Sequence, residues 1–243
     1  MSLEEIRKKV LATALEAFDQ DGLPGNLGHL NMNEIFRRAC VSRASAKRIW
    51  PTTESFYPDL MEAMVDPDRI DRAVFDRESI ELADAVAAEH WGLTGTAEGR
   101  REVLREAIRQ GVEHNFESTC RSLSWRTYAV LTAALPALTD QEHHKKAHTV
   151  LATADARYIE RMAAFYRTMM AALKLRFKPE FDENIFAGAA AGLIGGMVIR
   201  QVLNQTAIEK VRLAGIDGEP VEWHPAAIGF LALIDGMTEP DLE

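Results

Sequence analysis

The chain has 243 residues, 47% of them hydrophobic and 27% charged, with a formal net charge of −9. This is globular composition, not that of a disordered chain, and the acidic balance excludes a protein that coats nucleic acid over its whole surface. The two cysteines, Cys40 and Cys120, show neither metal-ligand spacing nor a disulfide framework, which fits free thiols in a reducing compartment.

The opening residues, MSLEEIRKKV, lack the long apolar run of a signal peptide. Residues 3–21 read as a first helix, with Val10, Leu11, Ala14, Leu15, Ala17 and Phe18 on one face and Gly22 as its stop. A glycine-rich loop over 22–28 follows. Asn31 is placed to cap a second helix over 32–39, whose Met32, Ile35, Phe36 and Ala39 recur at helical spacing. Cys40, Val41 and Ser42 break that pattern, and Ser42 is placed to cap a third helix over 43–50. Pro51 ends it, because proline disfavours helix in the residue before it. Two short helices joined by so tight a turn have the geometry that lays the second helix in a DNA groove. From Ile35 to Arg48 the chain carries Arg37, Arg38, Arg43, Lys47 and Arg48, and no acid. Residues 1–57 have a net charge of +1, which leaves −10 on the rest and suits a small binding head on an acidic body.

Thr52 is the expected N-cap of a fourth helix over 53–65. Asp66, Pro67 and Asp68 mark the clearest boundary, dividing a head over 1–65 from a body over 66–243. The body reads as helix throughout: 69–91, 98–116, 118–135, 140–177 with a break expected near 149–155, then 182–205 and 225–237. A polar connection runs over 215–223, and no stretch alternates as a strand pair should. The predicted fold class is therefore all-α. Ile185 to Ile199 is the most apolar stretch, and its fifteen residues fall short of the roughly 20 needed to span a bilayer. The expectation is a soluble cytoplasmic protein with no membrane partner.

Gly188, Gly192 and Gly196 leave one side of a helix nearly bare. Mid-helix glycine costs about 1 kcal/mol against alanine, so three in register imply the close approach of another helix. Either an internal helix or the same helix of a second subunit would serve. We favour the homodimer, with Ile228 and Leu231 of the last helix completing a four-helix interface.

Residues 10–22, 35–42 and 43–51 resemble the TetR family of one-component transcriptional repressors. The first stretch is similar to the family's aliphatic first helix with its closing glycine, the second to its turn, and the third to its proline-ended recognition helix. The resemblance covers about residues 5–62, and beyond them only the helical character and size match. Cys40 stands where the family has a turn glycine, Lys47 replaces an aromatic, and Thr53 replaces the lysine that begins the fourth helix. The resemblance implies a head that reads a palindromic double-stranded operator as a homodimer. Arg43, Ser45, Lys47 and Arg48 are then the candidate base readers, and Asn31, Ser42, Thr52 and Thr53 the candidate phosphate contacts. It also implies a pocket for a small apolar or aromatic effector, for which Trp91, His114, Phe116, Trp125, Tyr128, Met162, Phe165, Tyr166 and Met169 are candidates.

Two other classes stay open. One is a protein of the same fold that has lost DNA binding and serves as an interaction or ligand-binding module. The other is an all-α enzyme or metal carrier, for which the sequence offers little. No Glu-x-x-His pair, Walker motif, dinucleotide fingerprint or nucleophile elbow occurs. His144 and His148 stand four apart beside His143, with no identifiable third ligand and with Lys145 and Lys146 between them. No catalytic residue, metal site or cofactor is expected.

Overall fold

The computed structural model describes residues 1–21, 30–64 and 77–241. The expected loop over 22–28, the boundary at 66–68 and the start of the helix expected from residue 69 lie outside them. Among the described residues the chain is helical: α1 (Leu3–Asp21), α2 (Met32–Arg38), α3 (Arg43–Lys47), α4 (Thr53–Met64), α5 (Arg77–Glu89), α6 (Ala97–Arg121), α7 (Leu123–Ala134), α8 (Gln141–Ala172), α9 (Glu183–Leu203) and α10 (Pro225–Met237). The fold class is all-α, as the periodicity predicts.

Several boundaries differ from the sequence reading. The break expected after residue 116 falls at Ser122, between α6 and α7, because Asn115 and Phe116 continue α6 and the Thr119 carbonyl closes its last turn onto Ser122. No break occurs near 149–155, and α8 is continuous over 32 residues. Thr149 and Thr153 each return their hydroxyl to the carbonyl four residues back, so both sit in the helix without an unmet donor.

Strands do occur, contrary to expectation. β1 (Leu175–Phe177) pairs antiparallel with β4 (Thr238–Pro240), and β2 (Val211–Ala214) with β3 (Pro220–Trp223). Each has only three or four residues, too few for alternation to stand out. The β2–β3 turn is closed by Gly215 N–H to the Glu219 carbonyl (2.8 Å) and by Gly218, whose φ of 82° suits glycine.

Two compact units are distinguished, Met1–Ile70 with Leu123–Ala156, and Asp71–Ser122 with Arg157–Glu243. The first encloses the head and also takes in α7 and the first half of α8. Its core joins Val10 and Ala14 of α1, Ile35 and Phe36 of α2, Ala46, Trp50, Phe56 and Leu60 to Leu131 and Leu151. In the second unit, Leu104 and Ile108 of α6, Met162 and Tyr166 of α8, Phe186 of α9, Trp223 of β3 and Phe230 of α10 form a separate core. Phe186 lies edge-on to Tyr166 at 4.8 Å and to Phe230 at 5.6 Å, the arrangement ring quadrupoles prefer.

Candidate nucleic-acid interface

Local chemistry builds the segment from Asn31 to Ser55. Asn31 Oδ1 accepts the N–H of Glu34 at 3.2 Å and so caps α2. At the other end Cys40 N–H donates to the Arg37 carbonyl and Val41 N–H to that of Phe36, both at 3.0 Å. This pair of bonds is the Schellman closure, with Val41 and Phe36 both buried as its apolar contact. It requires a left-handed residue between them, and Cys40 supplies it at φ 50°. The turn is therefore not reshaped by the missing glycine, nor does the thiol pack inward, since Cys40 is exposed.

Ser42 Oγ accepts the Ser45 N–H at 3.0 Å and shares a further hydrogen bond with the Ser45 hydroxyl at 2.7 Å. α3 is shorter than its expected span, ending at Lys47, but Ile49 N–H and Trp50 N–H both donate to the Ala46 carbonyl and carry the turn on to Pro51. Thr52 and Ser55 then exchange backbone-to-hydroxyl bonds of 3.1 and 3.2 Å, a reciprocal cap on α4.

The inner side of α3 is fixed by Ala46, which is fully buried, and by Trp50. The Trp50 indole packs edge-on against Phe56 with ring centroids 5.0 Å apart, and its Nε1–H donates to Asp59 Oδ2 at 2.7 Å. Asp59 is itself buried, and its Oδ1 meets Arg7 of α1 at 2.5 Å and Lys146 of α8 at 2.7 Å. One carboxylate thus joins α1, the end of the α3 turn, α4 and α8. Glu54, five residues earlier, accepts from the N–H groups of Asp140 (3.0 Å) and Thr139 (2.8 Å) ahead of α8. These bonds hold its carboxyl below the usual carboxylate range. Neither Asp59 nor Glu54 is identifiable as a hub from sequence, because Lys146 lies 87 residues from Asp59, and Thr139 and Asp140 lie 85 and 86 residues from Glu54.

The outer side carries Arg43, Ala44, Lys47 and Arg48, all exposed. Among the described residues the side chains of Arg43, Lys47 and Arg48 have no hydrogen-bond or ion-pair partner, so three cations stand in one short helical turn. Ser45 departs from its expected solvent-facing position, since it is half-buried with its hydroxyl engaged by Ser42. Asn31 and Ser42 use their side-chain oxygens as the helix caps the sequence predicts. The patch from Ile35 to Arg48 is not free of acid in space, because Glu34 lies just outside it. Glu34 binds Arg37 through both oxygens (2.6 and 2.8 Å) and Arg38 at 3.0 Å, and hydrogen bonds from Arg37 and then Arg38 hold its carboxyl at about 2. Thr52 is exposed and Thr53 half-exposed at the start of α4.

No family model matches this chain, and no curated protein is significantly similar to it. Among solved structures it is similar to a TetR-family transcriptional regulator from Rhodococcus sp. at 15% identity, covering 96% of this chain and 98% of that one, with a TM-score of 0.43. It is also similar to the reduced form of NemR from E. coli (12% identity, 96% and 98% covered, TM-score 0.47). A third is a TetR-family regulator from Mesorhizobium loti (11% identity, 98% of each chain covered, TM-score 0.46). At such values the case for function rests on the residues described above.

The expected effector residues divide between the two compact units. Trp125 and Tyr128 belong to the first unit, where the Tyr128 hydroxyl donates to Asp155 at 2.9 Å. Burial, then that hydrogen bond, push the phenol up to about 12. The other seven belong to the second unit. Trp91 is 74% exposed on a single 3-10 turn. Met162 and Tyr166 are core residues, with Phe165 and Met169 packed at the edge of that core. His114 faces Glu78 at 3.3 Å. Phe116 stacks on His224 with ring centroids 4.2 Å apart.

Residues that the sequence did not single out have the more informative chemistry. Trp223 is 1% exposed, and its indole N–H has no acceptor among the described residues. The guanidinium of Arg105 lies 5.7 Å from its ring centroid. A buried donor with no partner is unusual, and a bound acceptor is one way to satisfy it. Next to it, His224 Nδ1 accepts the Ala226 N–H at 3.1 Å and so caps α10. Only the pattern of an exposed-looking His-Pro before an apolar run hinted at that cap.

The α9 glycines also differ from a simple reading. A Cβ at Gly188, Gly192 or Gly196 would meet nothing within 4 Å, so no helix among the described residues explains them. The close approach of α9 and α10 is made instead by Gly229, where a Cβ would stand 2.9 Å from Leu193. Ile228 and Leu231 are half-buried and pack against the second core. The apolar run of fifteen residues lies within a 21-residue helix, which is long and apolar enough to cross a membrane by length and composition. The argument from shortness therefore fails. On the other face of α9, Phe186, Ala187, Ala190 and Val198 are buried in the protein.

Proposed function

We propose that this chain is a ligand-responsive transcriptional regulator, a repressor that binds a palindromic DNA operator as a homodimer in the cytoplasm. The observation that carries the reading is the outer side of α3. Arg43, Lys47 and Arg48 stand exposed and unpaired among the described residues, on a turn whose inner side is fixed by Ala46, Trp50 and Asp59. Arginine and lysine can pair with guanine O6 and N7 in the major groove or neutralise phosphates. The backbone N–H groups at the start of α4, with Thr52 and Thr53, suit a phosphate beside them. Two such heads would read half-sites about one helical turn, or a multiple of it, apart.

For the effector, the supporting observation is the buried Trp223 N–H with Arg105 over its ring. An aromatic or apolar molecule carrying one hydrogen-bond acceptor suits that pair. To act as a switch it must bind the DNA-incompetent state better, since equal affinity for both states shifts nothing.

Fluorescence anisotropy with the DNA upstream of the protein's own gene, against a scrambled duplex and at rising salt, tests the reading. Specific retention should weaken steeply with salt as counterions are released. Equal, weak retention of both duplexes would instead favour an interaction module that has lost DNA binding.

A further inference from the structure

The most outward position on α3 belongs to an alanine, not to a cation. The backbone stays helical through Arg48, and Arg43, Ala44, Lys47 and Arg48 are all exposed. At about 100° per residue, Arg43, Lys47, Ala44 and Arg48 fall at roughly 0°, 40°, 100° and 140° around the axis, and the fully buried Ala46 at roughly 300°. The direction straight away from Ala46 is then about 120°, and the exposed arc is centred at about 70°. Ala44 alone lies within about 30° of both. The major groove is about as wide as a helix, so a helix seated in it sets its outward pole on the base edges and its flanks towards the two phosphate backbones.

The chemistry of that pole is selective. Ala44 carries neither donor nor acceptor, so against guanine, adenine or cytosine it would strip water from a polar edge and return no hydrogen bond. Against thymine it meets the 5-methyl group, and the contact removes apolar surface from water. Lys47 and Arg48, about 60° and 40° to either side of Ala44, can only donate. Guanine offers them two acceptors, O6 and N7, whereas adenine sets its N6 amino group beside N7 and cytosine presents a donor. Nothing on this face accepts in return. The hydroxyls of Ser42 and Ser45 hydrogen-bond each other, and residues 35–50 include no Asn, Gln, Asp or Glu.

We infer that the half-site under α3 is a thymine with guanines about one or two base pairs away. Ala44 seats the thymine methyl, Lys47 and Arg48 take guanine O6 and N7, and Arg43 on the flank meets a phosphate. The spacing follows from the helix rise. Lys47 and Arg48 stand about 4.5 and 6 Å further along the axis than Ala44, against about 3.4 Å between base pairs. This rests on the DNA-reading head of the proposed function and names the bases that the head selects.

Selection of duplexes by the full chain from a randomised library, followed by anisotropy titration of the enriched duplex with altered bases, tests the assignment. Replacing the half-site thymine by deoxyuridine removes only the methyl group and should weaken binding about fourfold. Replacing a neighbouring guanine by 7-deazaguanine takes away the N7 acceptor and should weaken it about tenfold. The uracil effect should vanish in Ala44→Gly. In Lys47→Ala, and again in Arg48→Ala, one guanine should become indifferent to the loss of N7, whereas Arg43→Ala should weaken all duplexes alike. If no sequence is enriched, the DNA-reading head and this inference fall together. Specific binding indifferent to both base changes would overturn the base assignment and leave DNA binding by the head standing. A uracil effect that persists unchanged in Ala44→Gly would take the thymine contact away from Ala44 and overturn the inference at its pole.

Discussion

Asp59 offers the sharpest test of how the reading helix is held. Asp59→Ala removes the acceptor for the Trp50 indole and the partner of Arg7 and Lys146. The indole N–H is left buried and unsatisfied, at about 1–3 kcal/mol. Arg7 and Lys146 are 35% and 48% exposed, so each can turn to water, and each pair contributes about 0–1 kcal/mol. The expected loss is about 1–5 kcal/mol in all. Asp59→Asn keeps an oxygen for Trp50 and should lose less, about 1–2 kcal/mol. Urea unfolding followed by intrinsic fluorescence and circular dichroism reads both. In a Trp50→Phe background the cost of Asp59→Ala should shrink by about 1–2 kcal/mol, because that acceptor's main client is gone. A cost below about 0.5 kcal/mol, or one equal in both backgrounds, would refute the idea that this carboxylate holds the α3 turn.

Other consequences are testable alongside it. Cys40→Gly should stabilise the chain by about 0.5–1 kcal/mol, since glycine adopts the left-handed turn without the Cβ penalty, and the β-branched Cys40→Val should destabilise it by at least as much. Thermal melts of the two variants moving in the same direction would count against that account. Burial lowers the His224 pKa below its ordinary 6.5, and its Nδ1 can cap α10 only while unprotonated. Stability from this group is therefore fully present above pH 6.5 and is lost as pH falls below it toward the folded value, so denaturation midpoints of His224→Ala should show a flatter slope over that window. Lys47→Ala should weaken anisotropy titrations on all sequences and lower the salt slope by about 1 if Lys47 meets phosphate, or relax preference at one base pair by about 1–3 kcal/mol if it reads an edge. No change in either would remove Lys47 from the interface. Trp223→Phe should leave the fold intact and reduce the response of DNA retention to any acceptor-bearing effector found by calorimetric screening.

What the sequence made legible was local. Asn31, Ser42 and Thr52 act as caps, and Pro51 as a stop, because each works on a neighbour within three residues. The end of the α2 turn was legible in position but not in shape, since a cysteine can occupy a left-handed turn when Val41 and Phe36 anchor both sides of it. Non-local pairings were hidden. Nothing in the head's sequence points Glu54 to Thr139 or Asp59 to Lys146, so the inclusion of α7 and the first half of α8 in its compact unit was invisible. The hairpin escaped because its strands are four residues long, although Val211 and Leu213 alternate with charged or small neighbours as strand residues do. The effector residues were chosen for aromatic, sulfur or imidazole character, and among them Met162 and Tyr166 fill the second core with Phe165 and Met169 packed at its edge.

Glu34 has a consequence for ionic strength. Its single negative charge offsets one of the five positive charges counted along the α2–α3 segment while holding two of them, Arg37 and Arg38, in hydrogen bonds, so that Arg43, Lys47 and Arg48 are the cations without an internal partner among the described residues. If the proposed dimer met DNA through those three cations on each head, at a slope of about −0.9 per phosphate contact a fourfold rise in salt would cost it on the order of a thousandfold in affinity, against more than a hundred-thousandfold for ten contacts. On that reading the internal carboxylate acts as a built-in counterion, and the head would be a weaker polyelectrolyte than its arginine count suggests.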